Sequence, residues 1–190
     1  GGAIPASMAL AERLSAPVCV GYQHNDAFPG SHPLFAGPLG YNGSRAGMEL
    51  IAEADVVLCL GTRLNPFSTL PGYGIDYWPK AAKIIQVDIN PNRIGLTKPV
   101  TVGIVGDAKK VAEGILARLS KTAGDAGRAE RKAMIAQKKS SWAQALSSMD
   151  HEQDDPGTSW NQRARDAKPE WMSPRMAWRA IEAGLPKEAI

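Results

Sequence analysis

Three groups of residues in this 190-residue chain have side chains suited to chemistry. The first lies in residues 21–43, where His24, Asn25 and His32, together with Gln23, offer hydrogen bonds to an anionic group of a substrate. Two histidines in one irregular stretch, beside Asn and Asp, raise the case for substrate binding against the alternative of histidines satisfied by their own fold. The second group is Gly61 with Arg63. A glycine lets backbone approach a phosphate, and arginine pairs with it bidentately. The same pair also reads as a tight strand exit with an arginine bonded to a neighbouring carboxylate. The third group is two carboxylates at element ends: Asp88 suits a ribose hydroxyl or caps the turn that follows, and Asp107 suits a cofactor or caps a helix. Gly61, Arg63, Asp88 and Asp107 are therefore candidate cofactor-binding residues, and His24, Asn25 and His32 candidate substrate-binding residues. Cys19 and Cys59 each sit in an apolar run without a partner at metal-ligand spacing, so both read as small buried hydrophobes of a reducing compartment.

These residues need elements to position them. Residues 3–15 carry apolar side chains at helical spacing, with Pro5 in the tolerant first turn. Residues 18–20 read as a short buried strand and residues 21–43 as one long irregular stretch, a length that is usually functional. Ser44 fits as N-cap of a helix through residue 53. Residues 55–61 form a continuous apolar run, the pattern of a central parallel strand covered on both faces. Residues 83–89 repeat it, and residues 101–105 make a third strand, broken by Gly103. Asp107 is placed to cap a helix over 108–119. Strands alternating with helices predict an α/β fold with a doubly wound parallel sheet. Ligands of such sheets bind beyond the carboxyl ends of the strands, which selects Gly61, Arg63, Asp88 and Asp107. Residues 128–149 read as an alanine- and lysine-rich helix and residues 151–169 as a polar stretch. Pro174 behind Ser173 opens a last helix to about residue 183. The expected organisation is a domain over 1–120, a helical and polar linker over 121–172, and the start of a further domain over 173–190, with both ends cut from a longer polypeptide.

Four segments then follow one another in a specific order. Pro33-Leu34-Phe35-Ala36-Gly37-Pro38-Leu39-Gly40 fits a Pro-Leu-x-x-Gly-x-x-Gly pattern. After it come Ala54-Asp55-Val56-Val57, running to Gly61-Thr62-Arg63, then Val87-Asp88-Ile89-Asn90, then Gly106-Asp107-Ala108. The set resembles the central domain of the acetolactate-synthase-like thiamine diphosphate enzymes over residues 1 to about 120. The resemblance implies the DHS-like NAD/FAD-binding fold, truncated at both ends, in an enzyme whose carbanion chemistry comes from thiamine diphosphate. It implies that thiamine diphosphate and Mg2+ are held outside this chain, by a glutamate and a Gly-Asp-Gly…Asn motif. Gly106-Asp107-Ala108 departs from that motif, so no catalytic residue and no metal ligand is expected here. Relatives that bind FAD or ADP in this domain use positions matching Gly61 and Arg63. They carry acidic residues where this chain has Asn65-Pro66, a departure that weighs against a flavin. Residues 21–43 and 65–79 are most similar to a branch acting on sulfoacetaldehyde, which implies cleavage of its C–C bond, release of sulfite and transfer of the acetyl unit to phosphate. Residues 173–190 are similar to the entry of the diphosphate-binding domain of the same enzymes. A small-molecule substrate, a homo-oligomer (dimer or tetramer) of the full-length protein and a cytoplasmic location are the matching expectations.

Composition narrows the alternatives. Hydrophobic residues make up 44% and charged residues 22% of the chain, ordinary for a globular protein. The net charge of +3 is spread out, and its densest basic patch, residues 128–139, reads as a solvated helix face rather than a nucleic-acid surface. No apolar run approaches the ~20 residues that span a bilayer, and no stretch of the given residues reads as a signal peptide. Other thiamine diphosphate decarboxylases and carboligases, acetolactate synthases among them, share the domain and differ in its loops. A dinucleotide-binding protein such as an NAD-dependent deacylase has a strand exit like Gly61-Thr62-Arg63-Leu64, but its paired CxxC and Gly-Ala-Gly opening are missing. Phe67, Tyr73, Tyr77 and Trp78 read as packing or a subunit contact.

Overall fold

The computed structural model describes residues 2–41, 43–151 and 174–186, so the expectations for 152–173 and 187–190 lie outside it. The chain forms two compact units, Gly1–Trp142 and Ala143–Ile190.

In the first unit, helix α1 (Ile4–Leu14) carries proline in its first turn and closes on Ser15 in the left-handed region, φ 51°. Strand β1 (Val18–Gly21) pairs in parallel with β2 (Phe35–Leu39). β2 lies inside the stretch that reads as irregular from sequence. Gly37 and Pro38 disguise it, and a strand with only one neighbour tolerates a proline whose missing amide no partner needs. Helix α2 (Arg45–Ala52) begins at Ser44, whose hydroxyl accepts the Gly47 amide at 3.2 Å. The second sheet is also parallel, in the order β3 (Val56–Leu60), β4 (Lys83–Asp88), β5 (Val102–Val105). β4, rather than β3, is the central strand of these three, and Val56 of β3 is exposed. Helix α3 (Ala108–Arg118) follows β5, capped by Asp107. Helix α1 lies on both sheets. Its Met8 and Ala11 join Val20 and Ala36 of the first sheet and Phe28 and Leu34 of the connection between its strands, while Ala6 and Leu10 pack with Leu58 and Leu60 of β3 and Ala112 of α3.

The compact unit continues past residue 120 into helix α4 (Arg128–His151). Ile135, 1% exposed, sits in the core with Phe28 and Leu34. The basic stretch is consequently more than a solvated face. Lys138 bonds Glu53 at 2.7 Å, a contact that raises its ammonium above the usual lysine range, and it lies 3.5 Å from Glu49. Lys139 donates to the Pro33 carbonyl at 3.0 Å. Arg128 closes the end of α1: its guanidinium donates to Ser15 Oγ at 2.9 Å, to the Glu12 and Arg13 carbonyls at 3.2 Å, and to Asp125 at 2.6 Å. The last carbonyls of a helix attract a cation, so the sequence separation is bridged by helix-end electrostatics. Arg128→Ala is expected to destabilise the unit by about 1–2 kcal/mol, since it removes charge-assisted bonds at a partly solvated site. A urea titration monitored by far-UV circular dichroism checks this, and an unchanged midpoint would refute it.

In the second unit, α5 (Pro174–Gly184) exposes Trp178 and Ile181, and Leu185 just after it is exposed as well. Among the described residues, no helix is long and apolar enough to cross a membrane.

Candidate functional site

The parallel pairing brings the cofactor-binding candidates together. Gly61 follows β3, Asp88 ends β4, and Asp107 follows β5, so all three lie at the carboxyl edge of one sheet. The Gly61 amide bonds the Val87 carbonyl at 2.9 Å, and the Gly106 amide bonds the Asp88 carbonyl at 3.1 Å. Gly61 adopts φ +63°, and a Cβ there would stand 3.4 Å from Ala108 Cβ, so its conformation rather than crowding calls for glycine.

The carboxylates of this edge are occupied by backbone. Asp88, 4% exposed, accepts the Asn90 amide at 2.8 Å and thereby holds the turn after β4. Asp107 accepts the Lys110 amide at 3.0 Å as the cap of α3. A helix end already closed by its own carboxylate repels a diphosphate, and among the described residues no cluster of His, Cys, Asp and Glu could hold a metal ion. These residues do not fit thiamine diphosphate and its metal. Arg63 is exposed, and among the described residues its guanidinium has neither hydrogen bond nor ion pair, so the pairing with a neighbouring carboxylate is not found.

What holds the edge together is a residue that no motif marks. Gln86, 1% exposed in the middle of β4, donates to the Thr62 carbonyl at 3.0 Å and the Arg93 carbonyl at 3.1 Å, and accepts the Gly95 amide at 2.8 Å. One buried amide thus ties the loop after β3 to the loop after β4. Thr97 adds bonds to the Arg63 and Leu64 carbonyls, at 3.1 and 2.7 Å. Leu64, held at φ 52°, is the strained residue these contacts fix. The available signal was a polar residue interrupting the run Lys83-Ile84-Ile85-Gln86-Val87.

The three substrate-binding candidates separate. His24 and Asn25 are exposed on a 3-10 turn, Asn25–Ala27, just beyond the carboxyl end of β1. His32 precedes the amino end of β2. Because β1 and β2 are parallel, the two positions adjoin opposite ends of the sheet. His32 is turned inward: Nδ1 accepts the Leu34 amide and Nε2 bonds Glu12 of α1, both at 3.1 Å. It forms one wall of a cleft of about 320 Å3 that Glu12, Leu34, Lys132 and Ile135 also line. The aromatic set divides as well. Tyr77 is 1% exposed and donates to the Ser68 carbonyl, whereas Phe67 and Tyr73 are exposed, Tyr73 lying edge-on to Trp142 at 5.0 Å. Cys19 and Cys59 are free thiols that burial pushes up to about 12, far from thiolate chemistry at neutral pH.

Comparison with known proteins agrees with this architecture. Residues 1–115 match the family described as thiamine pyrophosphate enzyme, central domain. The sulfoacetaldehyde acetyltransferase of Roseovarius nubinhibens is 83% identical over 189 residues, which is 100% of this chain and 31% of that protein. The probable acetolactate synthase large subunit of Methanocaldococcus jannaschii is 38% identical over 62% of this chain and 20% of its own length. Among solved structures, a putative thiamin diphosphate-dependent enzyme from Mycobacterium smegmatis superposes with a TM-score of 0.50 at 30% identity, over 63% of this chain and 22% of that one. The chain spans about a third of the length of its sulfoacetaldehyde acetyltransferase relative.

Proposed function

We infer the function from one premise: the chain belongs to the thiamine pyrophosphate enzyme family, as its central domain. The full-length protein is a sulfoacetaldehyde acetyltransferase, converting sulfoacetaldehyde and phosphate into acetyl phosphate and sulfite. One observation carries this reading. The 83% identity to a protein of that name covers the whole chain, loops included, whereas the acetolactate synthase relative aligns over only 62% of it. Both carbons of sulfoacetaldehyde remain in acetyl phosphate, so the bond that breaks is C–S, correcting the C–C cleavage expected from the resemblance.

Thiamine diphosphate, when bound with Mg2+ elsewhere in the full-length protein, supplies the carbanion chemistry. This chain contributes placement. His24 and Asn25 present donors to the sulfonate. Gly61, Asp88 and Asp107 serve as the closed edge of the second sheet rather than as a flavin or ADP cradle, because one oxygen of each carboxylate already caps the backbone of the loop or helix that follows. Arg63 is the one member of that group with its guanidinium available to an anion. The enzyme works as a cytoplasmic homo-oligomer on a small-molecule substrate.

Full-length protein incubated with sulfoacetaldehyde, phosphate, thiamine diphosphate and Mg2+ is expected to release sulfite and form acetyl phosphate in equal amounts. Turnover of pyruvate with no sulfite released would overturn the assignment in favour of an acetolactate synthase.

A further inference from the structure

We propose that His32 is a positioning residue that fixes the exposed turn bearing His24 and Asn25, rather than a substrate ligand itself. The proposal rests on the functional reading above and deepens it.

The ring is committed at both nitrogens. Nδ1 accepts the amide proton of Leu34, so Nε2 carries the ring proton and donates it to Glu12 Oε1. The first bond spans two residues across Pro33, the geometry an Asn or Asp side chain makes in an Asx-turn. The second pins the loop to α1, and Lys139 of α4 holds the same segment through the Pro33 carbonyl. His32 therefore stands where two helices grip the loop. Its ring then meets Phe28 edge-on, with centroids 5.2 Å apart, and Phe28 stacks on Phe35 of β2 at 6.2 Å. Phe28, 2% exposed, immediately follows the turn Asn25–Ala27. At the other end of that turn, the His24 amide is fixed to the Gly21 carbonyl at 2.9 Å. The turn is thus held by β1 on one side and by Phe28 on the other, and His32 closes the edge of the Phe28 pocket whose other walls are core residues such as Leu34 and Ile135. Loss of the ring opens one wall of that pocket, so that Phe28 and the turn before it shift without any change at the reacting atoms.

The test uses the full-length enzyme and sulfite release. Wild-type turnover of sulfoacetaldehyde establishes the underlying function, and its absence refutes that reading before any variant is made. His32→Ala is expected to raise KM for sulfoacetaldehyde about tenfold with kcat within about twofold, the pattern of lost ground-state binding. His24→Ala is expected to raise KM similarly, and the double variant no further, since both act through one turn. His32→Asn keeps an oxygen acceptor for the Leu34 amide but not the ring against Phe28, and is expected to raise KM about as much as alanine does. His32→Asn also keeps the proposal falsifiable if the alanine variant is insoluble, because a KM within about twofold of wild type in that variant would overturn it. A His32→Ala enzyme with a lowered melting temperature and unchanged KM would overturn the proposal. So would a double variant whose KM is the product of the two single effects.

Discussion

Gly40→Ala is expected to abolish the folded first unit, at a cost above about 4 kcal/mol, beyond the range of ordinary single substitutions. Gly40 adopts φ +85°, and a Cβ built on it would lie 1.9 Å from the Phe67 carbonyl oxygen, 2.6 Å from Ser68 Cα and 2.8 Å from Phe67 C. All three are backbone atoms, so no rotamer change relieves the overlap. The segment cannot withdraw freely either, because the Tyr41 amide bonds the Phe67 carbonyl at 3.0 Å and Tyr77 bonds Ser68 from the core. Gly74→Ala is the matched control: its φ is +73°, but nothing lies within 4 Å of the added carbon. That variant should lose only the left-handed backbone preference, about 1–2 kcal/mol. Soluble yield and melting temperature of the two proteins side by side separate contact from conformation. Equal losses would show that the close approach at Gly40 carries no weight.

The next largest effect is expected at Gln86. Gln86→Leu should cost about 2–3 kcal/mol, because it removes the shared partner of two carbonyls and one amide in the half-buried loops after β3 and β4, each worth about 1 kcal/mol where water can partly replace it. The replacement is apolar and close in volume, so lost packing is not the cause. Its signature is local as well as global: hydrogen exchange at the Gly95 amide should accelerate beyond the change in global stability, as the loops after β3 and β4 uncouple. A urea midpoint within experimental error of wild type would mean that water or a shifted backbone replaces the three bonds.

Much of the fold was legible because its signals are local. Ser44 and Asp107 precede their helices as caps, and β3 and β4 are apolar runs too short for helices. The Pro-Leu-x-x-Gly-x-x-Gly segment was legible as a family mark but not as a strand. Its glycines answer to partners distant in sequence: a Cβ at Gly37 would meet Ser44 Cβ at 2.6 Å, and one at Gly40 the backbone of Phe67. Periodicity cannot register an approach made by another segment.

The candidate site shows the same division. Sequence by itself determined the parallel α/β architecture, the family, and the strand ends at which Gly61, Asp88 and Asp107 gather, since these follow from pattern along the chain. Tertiary structure alone decided which of those groups have anything left to offer. It bound Asp88 and Asp107 to backbone amides, left the Arg63 guanidinium without a partner among the described residues, and set His24 and His32 at opposite ends of a sheet. It also gave Gln86 and Arg128 their roles through contacts with distant loops and helix ends. The physical reason is that hydrogen-bond capacity belongs to the residue type, whereas its use is fixed by whichever backbone the fold brings within 3 Å.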